Sequence, residues 1–189
     1  MRVDPPATGP EPRRRPPSVI VLVGLMAAGK STVGRLLADR LGWRFIDLDQ
    51  EIVREAGTTI AEIFRTRGES AFRAMERRLT AALHSVAPAV LAPGGGWITN
   101  PGVREALPAG ARLVWLRLSP EEAVRRALAT GQERPLLAGP DPLDAARTLL
   151  AAREPLYATA DLVVDVEGRE PADIVQEIIG SIGIGANGE

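Results

Sequence analysis

The sequence predicts an α/β chain built on a parallel sheet with helical crossovers. Three observations lead there. Short apolar, β-branched runs alternate with stretches of helical periodicity, the pattern of parallel strands joined by crossover helices. The segment Gly24-Leu25-Met26-Ala27-Ala28-Gly29-Lys30-Ser31 reads G-x-x-x-x-G-K-S and lies between the first strand and the first helix, the context a phosphate-cradling loop requires. Acids and glycines also gather where strands end, the edge at which open α/β sheets take their ligands.

Ser18 to Val23 is the first strand, apolar throughout as a buried parallel strand must be. Gly24 and Gly29 let successive N–H groups turn inward as a nest for phosphate oxygens, and the following helix adds its positive end. Val33, Leu36, Leu37 and Leu41 give that helix its apolar face. Lys30 is positioned to reach the β- and γ-phosphates and Ser31 to ligate Mg²⁺. Lys30 is also the only lysine among 23 basic residues, which suits a place where a compact ammonium on a flexible stem matters.

Trp43 to Asp47 is the second strand, and Asp47-Leu48-Asp49 puts two acids at its end. If the strand continues, they point to opposite sides. The pair reads as a Mg²⁺ and hydroxyl site, or equally as an acidic helix start with Asp49 as the cap. Gly57 ends the next helix, and Thr59 with Glu62 forms a capping box for Ile60 to Phe64. A longer helix runs from about Glu69 to His84 with Phe72, Met75, Leu79 and Leu83 as its core stripe. Beside them, Glu69, Arg73 and Glu76 read as intrahelical ion pairs worth about 0.2–0.5 kcal/mol each. His84 reads as a histidine at a helix C-terminus.

Ala89 to Ala92 is the third strand, followed by Pro93-Gly94-Gly95-Gly96-Trp97, where bare backbone lets a ligand approach closely. Arg112 to Leu118 is the fourth, and Ser119-Pro120-Glu121-Glu122 starts a helix with an N-cap and an N1 proline. From Thr130 to Pro142 periodicity breaks into a loop bounded by glycines and carrying Arg134, the kind of segment that forms lids. A helix from about Leu143 to Tyr157 holds Arg147 and Arg153; Leu162 to Asp165 is the fifth strand, and Pro171 opens the last helix.

Composition narrows the chemistry. With 189 residues the chain is expected to form one domain, residues 18–182, between a Pro/Arg-rich disordered tail over residues 1–17 and a glycine-rich flexible end from 183. A net charge of −1 argues against a nucleic-acid binder. The absence of cysteine removes disulfides and thiolate chemistry, and a single histidine leaves little for a Ser-His-Asp or polyhistidine metal site. The run from Val19 is too short for a signal core or a membrane span, so a cytoplasmic location is expected.

Taken together, these motifs resemble the shikimate kinases, from Ser18 to Ile182. The resemblance rests on Gly24 to Thr32, Asp47-Leu48-Asp49, Thr59 to Phe64 with Gly68-Glu69 and Phe72-Arg73, Gly94-Gly95-Gly96, Arg134-Pro135-Leu136-Leu137 and Arg153-Glu154-Pro155-Leu156-Tyr157. It implies a three-layer α/β/α fold with a five-stranded parallel sheet in the order 2-3-1-4-5, a lid over about 130–142 and a helical substrate-binding region. It implies phosphorylation of the 3-hydroxyl of shikimate by ATP, a step in aromatic amino-acid biosynthesis, with Mg²⁺ as cofactor and the monomer as the working unit.

Roles follow from the same resemblance. Ala27, Ala28, Gly29, Lys30, Ser31 and Thr32 would cradle the ATP phosphates. Arg126 and Arg169 would lie on the adenine side, and Arg134 would close with the lid. Ser31 and Asp47, the latter through water, would hold the metal. Asp49 would bind the acceptor hydroxyls as base, kept ionised by the surrounding positive charge. Arg73 and Arg153 would grip the carboxylate, with Gly94, Gly95 and Gly96 beneath the substrate. The chain departs from the family's pattern twice. Trp97 follows the triple glycine, packed beneath the loop or altering the pocket. Ala27-Ala28 stands where Gly then Ala or Ser is common, which is compatible with negative φ at both. Two other readings are a P-loop kinase of another small acceptor such as gluconate, and an inactive nucleotide-binding regulator.

Overall fold

The structure, a computed structural model, describes residues 18–129 and 141–183. Five strands, β1 (Val19–Val23), β2 (Arg44–Asp47), β3 (Ala89–Ala92), β4 (Arg112–Arg117) and β5 (Leu162–Asp165), form one sheet in the order β2-β3-β1-β4-β5. Every pairing is parallel, with Val21 opposite both Leu91 and Leu113. The expected order is therefore found. Since β1 is central, its five residues are buried on both faces, which explains the unbroken apolar run.

Alternation along the strands feeds two cores. Ile20, Leu22, Val90, Val114 and Val164 pack under α1 (Lys30–Leu41) and α6 (Pro171–Ile182), meeting Val33, Leu37, Ile174 and Ile178. Val19, Val21, Leu91 and Trp115 face the opposite way, toward α2 (Leu48–Ala56), α3 (Ile60–Ala81) and α5 (Pro142–Tyr157). Helices thus cover both sides, and α4 (Pro120–Ala129) packs beside α5. The crossover from β1 runs through α1 to β2 on one side of the sheet, and the connection from β3 runs past β1 to β4 on the other. The loop after β1 consequently opens at the switch point, where open sheets bind ligands.

Several boundaries differ from the sequence reading for local reasons. Strand β2 stops at Asp47, whose carboxylate accepts from the Gln50 amide at 3.3 Å and starts α2 at Leu48. The cap is thus Asp47 rather than Asp49, and Asp49 lies in the helix's first turn instead of on an extended strand. The two helices expected between Ile60 and His84 join into α3 through a kink at Gly68 (φ 78°, ψ 169°), with a 3-10 turn, Ala82–Ser85, at the end. Thr59 caps α3, but the Glu62 carboxylate turns outward to Arg65, so only half of the capping box is used. Asp141 caps α5 and starts it at Pro142. Helix α6 keeps Gly180 in its last turn and ends at a left-handed Gly183. Residues 1–17 and 184–189, Arg134, and residues 130–140 of the lid expected over about 130–142 lie outside the described residues, while Asp141 and Pro142 open α5.

Candidate active site

Where β1 ends, the chain turns at Gly24 with φ 145°. A Cβ there would meet the Leu116 carbonyl oxygen at 2.5 Å, so only glycine fits. Six residues on, α1 begins at Lys30 behind a left-handed Gly29 with no side chain capping it. Its first N–H groups therefore point into the loop, ready for an anion. The Lys30 ammonium is held over the same loop, donating to the carbonyls of Gly24 (3.0 Å) and Leu25 (2.9 Å).

Ala27 departs from expectation: its φ is 59°, the one positive value at a non-glycine residue among the described residues. The inward turn of the loop demands it, and an alanine there costs about 1–2 kcal/mol. Its methyl group packs against the cluster of Ala127 and Ala146, which offsets part of that cost. The loop, Asp47 and Asp49, Gly94 and Gly95, and Arg126 and Arg169 line one cleft of about 880 Å³. Arg126 is held by Glu122 (2.7 Å) and the Val166 carbonyl (3.0 Å). Arg169 is held by Glu177 (2.6 Å) and the Asp165 carbonyl (3.0 Å). Pro171 and Arg125, given no role from the sequence, share that end of the cleft.

Capping α2 with one oxygen leaves Asp47 its other, which accepts from the Ser31 hydroxyl at 3.1 Å. Hydroxyl and carboxylate thus form a small set of hard oxygens beside the loop, the donor type Mg²⁺ takes. No group of three or more acidic or histidine side chains placed to hold a metal ion exists among the described residues, so a metal here would rely on phosphate and water for its remaining ligands. Asp49 projects further in, and its Oδ1 is buried without a hydrogen-bond partner among the described residues. Burial, the largest influence, pushes its carboxyl above the usual range and Asp47 adds to this, while Lys30 and Arg73 oppose them. The sequence reading counted only the cations; burial outweighs them.

The triple glycine is the floor on which three distant charges meet. A Cβ on Gly94 would fall 2.9 Å from both Asp49 carboxylate oxygens, one on Gly95 3.1 Å from Arg153 Nη1, and one on Gly96 3.0 Å from Arg73 Nη2. Each glycine makes room for one charged side chain from a different helix. Trp97 takes the first of its two expected places, fully buried beneath the loop with Nε1 donating to Thr80 Oγ1 at 3.0 Å.

Several residues that hold this floor escaped the sequence reading. Glu76, expected only as an ion-pair partner, is 1% exposed. Its Oε2 accepts from Arg73 Nη1 (2.8 Å) and from Asn100 Nδ2 (3.0 Å). Tyr157, buried and stacked on Trp115, donates to the Gly95 carbonyl at 3.2 Å and also contacts Arg153. A signal for Glu76 was present: Phe72, Glu76 and Thr80 recur every four residues, so the buried stripe of α3 runs through a carboxylate.

The family model for shikimate kinase matches residues 26–183. The shikimate kinase of Mycobacterium avium is 48% identical over 162 residues, 84% of this chain and 90% of the relative. That of Moorella thermoacetica is 43% identical over 162 residues, 86% and 92% of the two. Among solved structures, shikimate kinase from Acinetobacter baumannii in complex with shikimate superposes with a TM-score of 0.80 at 40% identity, covering 88% of this chain and 93% of the other. A gluconokinase from Sinorhizobium meliloti, 23% identical with a TM-score of 0.55, shares the fold alone. With a family model spanning most of its length and relatives this similar, the chain belongs to the shikimate kinase family.

Proposed function

We infer that the chain transfers the γ-phosphoryl group of ATP to the 3-hydroxyl of shikimate. The observation that carries this reading is the meeting of Asp49, Arg153 and Arg73 over Gly94, Gly95 and Gly96 beside the phosphate loop. Two guanidinium forks suit a small carboxylate, which each binds through paired N–H donors. Asp49 orients the acceptor hydroxyl and takes its proton as the oxygen bonds to the γ-phosphorus and the bond to the β-phosphate oxygen breaks. ADP and shikimate 3-phosphate are the products.

Lys30 and the N–H groups of Gly29 to Thr32 hold the phosphates, with Arg126 and Arg169 toward the base of the nucleotide. Arg134 adds positive charge at the γ-phosphoryl. Ser31 and Asp47 fit Mg²⁺, Asp47 through water; bound there, the ion would neutralise phosphate charge as it develops. Burial of Asp49 serves the same chemistry, since a base whose pKa is lifted toward neutrality accepts a proton more readily.

A coupled assay of ADP release tests the reading, with shikimate, gluconate and a nucleoside monophosphate offered in turn. Turnover with shikimate far above the other two is expected; equal or greater turnover with gluconate overturns it. Binding of shikimate without turnover would instead mark a regulator that kept the pocket and lost the chemistry.

A further inference from the structure

Asn100 lies at the end of the 3-10 turn Trp97–Thr99 that follows the triple glycine, and it is 3% exposed. All of its side-chain polar atoms are engaged with α3. Nδ2 donates to the Arg73 carbonyl oxygen at 2.9 Å and to Glu76 Oε2 at 3.0 Å, while Oδ1 accepts from Arg77 Nη1 at 2.8 Å. One amide therefore grips Arg73 twice, at its own backbone and through the carboxylate that holds its guanidinium. We propose that Asn100 is a positioning residue for the acceptor carboxylate, fixing Glu76 and the Arg73 main chain so that the Arg73 guanidinium stays over Gly96. This rests on reading Arg73 as an acceptor-binding arginine.

The physical case concerns what Glu76 needs. A carboxylate this buried stays ionised only with donors to satisfy it. Arg73 and Asn100 supply them, against burial and the nearby Asp49 charge, both of which favour the neutral acid. Asn100 also links Arg77 to Glu76. Without the amide, Glu76 loses one of its two donors and protonates at higher pH. A neutral Glu76 no longer holds Arg73 by charge, and exposed Glu69, 3.1 Å from Arg73 Nη2, is left as the competing partner.

The test is the KM for each substrate in Asn100→Ala and in the isosteric Asn100→Asp, between about pH 6 and about pH 9. For Asn100→Ala the shikimate KM should rise about tenfold at the acid end, the scale of one hydrogen bond to a charged group. Toward the alkaline end the deficit should shrink, because rising pH favours the ionised form of Glu76. The KM for ATP should stay within about twofold at every pH. Asn100→Asp, which places a second anion beside Glu76, should lose more. Asp49 titrates in parent and variants alike, so the ratio of variant to parent is the quantity to follow. A merely structural asparagine would give equal losses for both substrates, or a shikimate deficit that does not change with pH; either overturns the proposal. Arg73→Ala, measured alongside, separates the two levels. If it leaves the shikimate KM unchanged, the acceptor-site reading falls; if it raises that KM while Asn100→Ala does not, only the role of Asn100 falls.

Discussion

The cleft has two halves made in different ways. On the proposed nucleotide side the groups on offer are main-chain amides of one contiguous loop, shaped by Gly24, Ala27 and Gly29 and completed by the adjoining Lys30 and Ser31. On the proposed acceptor side the groups on offer are side chains from three helices, Asp49 of α2, Arg73 of α3 and Arg153 of α5, brought together over three glycines. Backbone binding needs the right turn and little else. Side-chain binding needs each charge held in place, which is why a buried layer of Glu76, Asn100, Thr80 and Tyr157 lies behind it. The first half is local in sequence; the second exists only once the chain has folded.

If the halves are this distinct, substitutions should divide between them. The largest effect is expected from Lys30→Arg. A planar guanidinium is too wide for the space between the carbonyls of Gly24 and Leu25, and kcat should fall by about 10²- to 10³-fold, the scale of losing one preorganised charge donor. Circular dichroism and the melting temperature should stay close to the parent. A wild-type kcat would remove Lys30 from the mechanism. Next comes Asp49→Asn, which keeps shape and removes basicity. There kcat with shikimate should drop about 10²-fold or more, with ATP affinity unchanged; loss of ATP affinity instead would erase the boundary between the halves.

Arg73→Ala and Arg153→Ala sharpen the comparison from the acceptor side. Each should weaken shikimate binding about ten- to a hundredfold and leave nucleotide affinity nearly unchanged, as titration calorimetry can measure separately. Equal losses for both ligands would mark them as structural arginines.

Legibility from sequence followed the same division. Gly24 to Ser31 named its own geometry because strand, loop and helix are contiguous, and the alternation of runs gave all five strands. The i, i+4, i+7 spacing of Glu69, Arg73 and Glu76 does produce ion pairs. Spacing alone did not show that one of those acids is buried, because that depends on β3 and its glycines arriving beside α3. The positive φ of Ala27 was missed for a related reason. An alanine there is acceptable once Ala127 and Ala146 pack against it, and neither is near it in sequence. Asp49 was read as a carboxylate among cations; its burial under Gly94 comes from tertiary packing.

That burial yields the smallest of the expected effects, and it has a definite sign. The Asp49 carboxyl is raised above its ordinary value of 3.8, first by burial and then by Asp47. Between 3.8 and the raised value, the folded chain keeps a proton that the unfolded chain has released. Stability from this residue therefore falls as pH rises through that window, and the full penalty is present above it. Asp49→Asn removes the titration while preserving the shape beside Gly94. The ligand-free variant should accordingly melt at a higher temperature than the parent at neutral pH, with the gain fading as pH falls below the ordinary carboxylate value. Thermal melts across that range measure it directly. A variant less stable than the parent at neutral pH would mean that Lys30 and Arg73 hold the carboxylate more strongly than burial opposes it. The acceptor half would then be a site stabilised by its charges. The gain in stability, paired with the loss in kcat, would instead show a base kept partly desolvated at the expense of the fold.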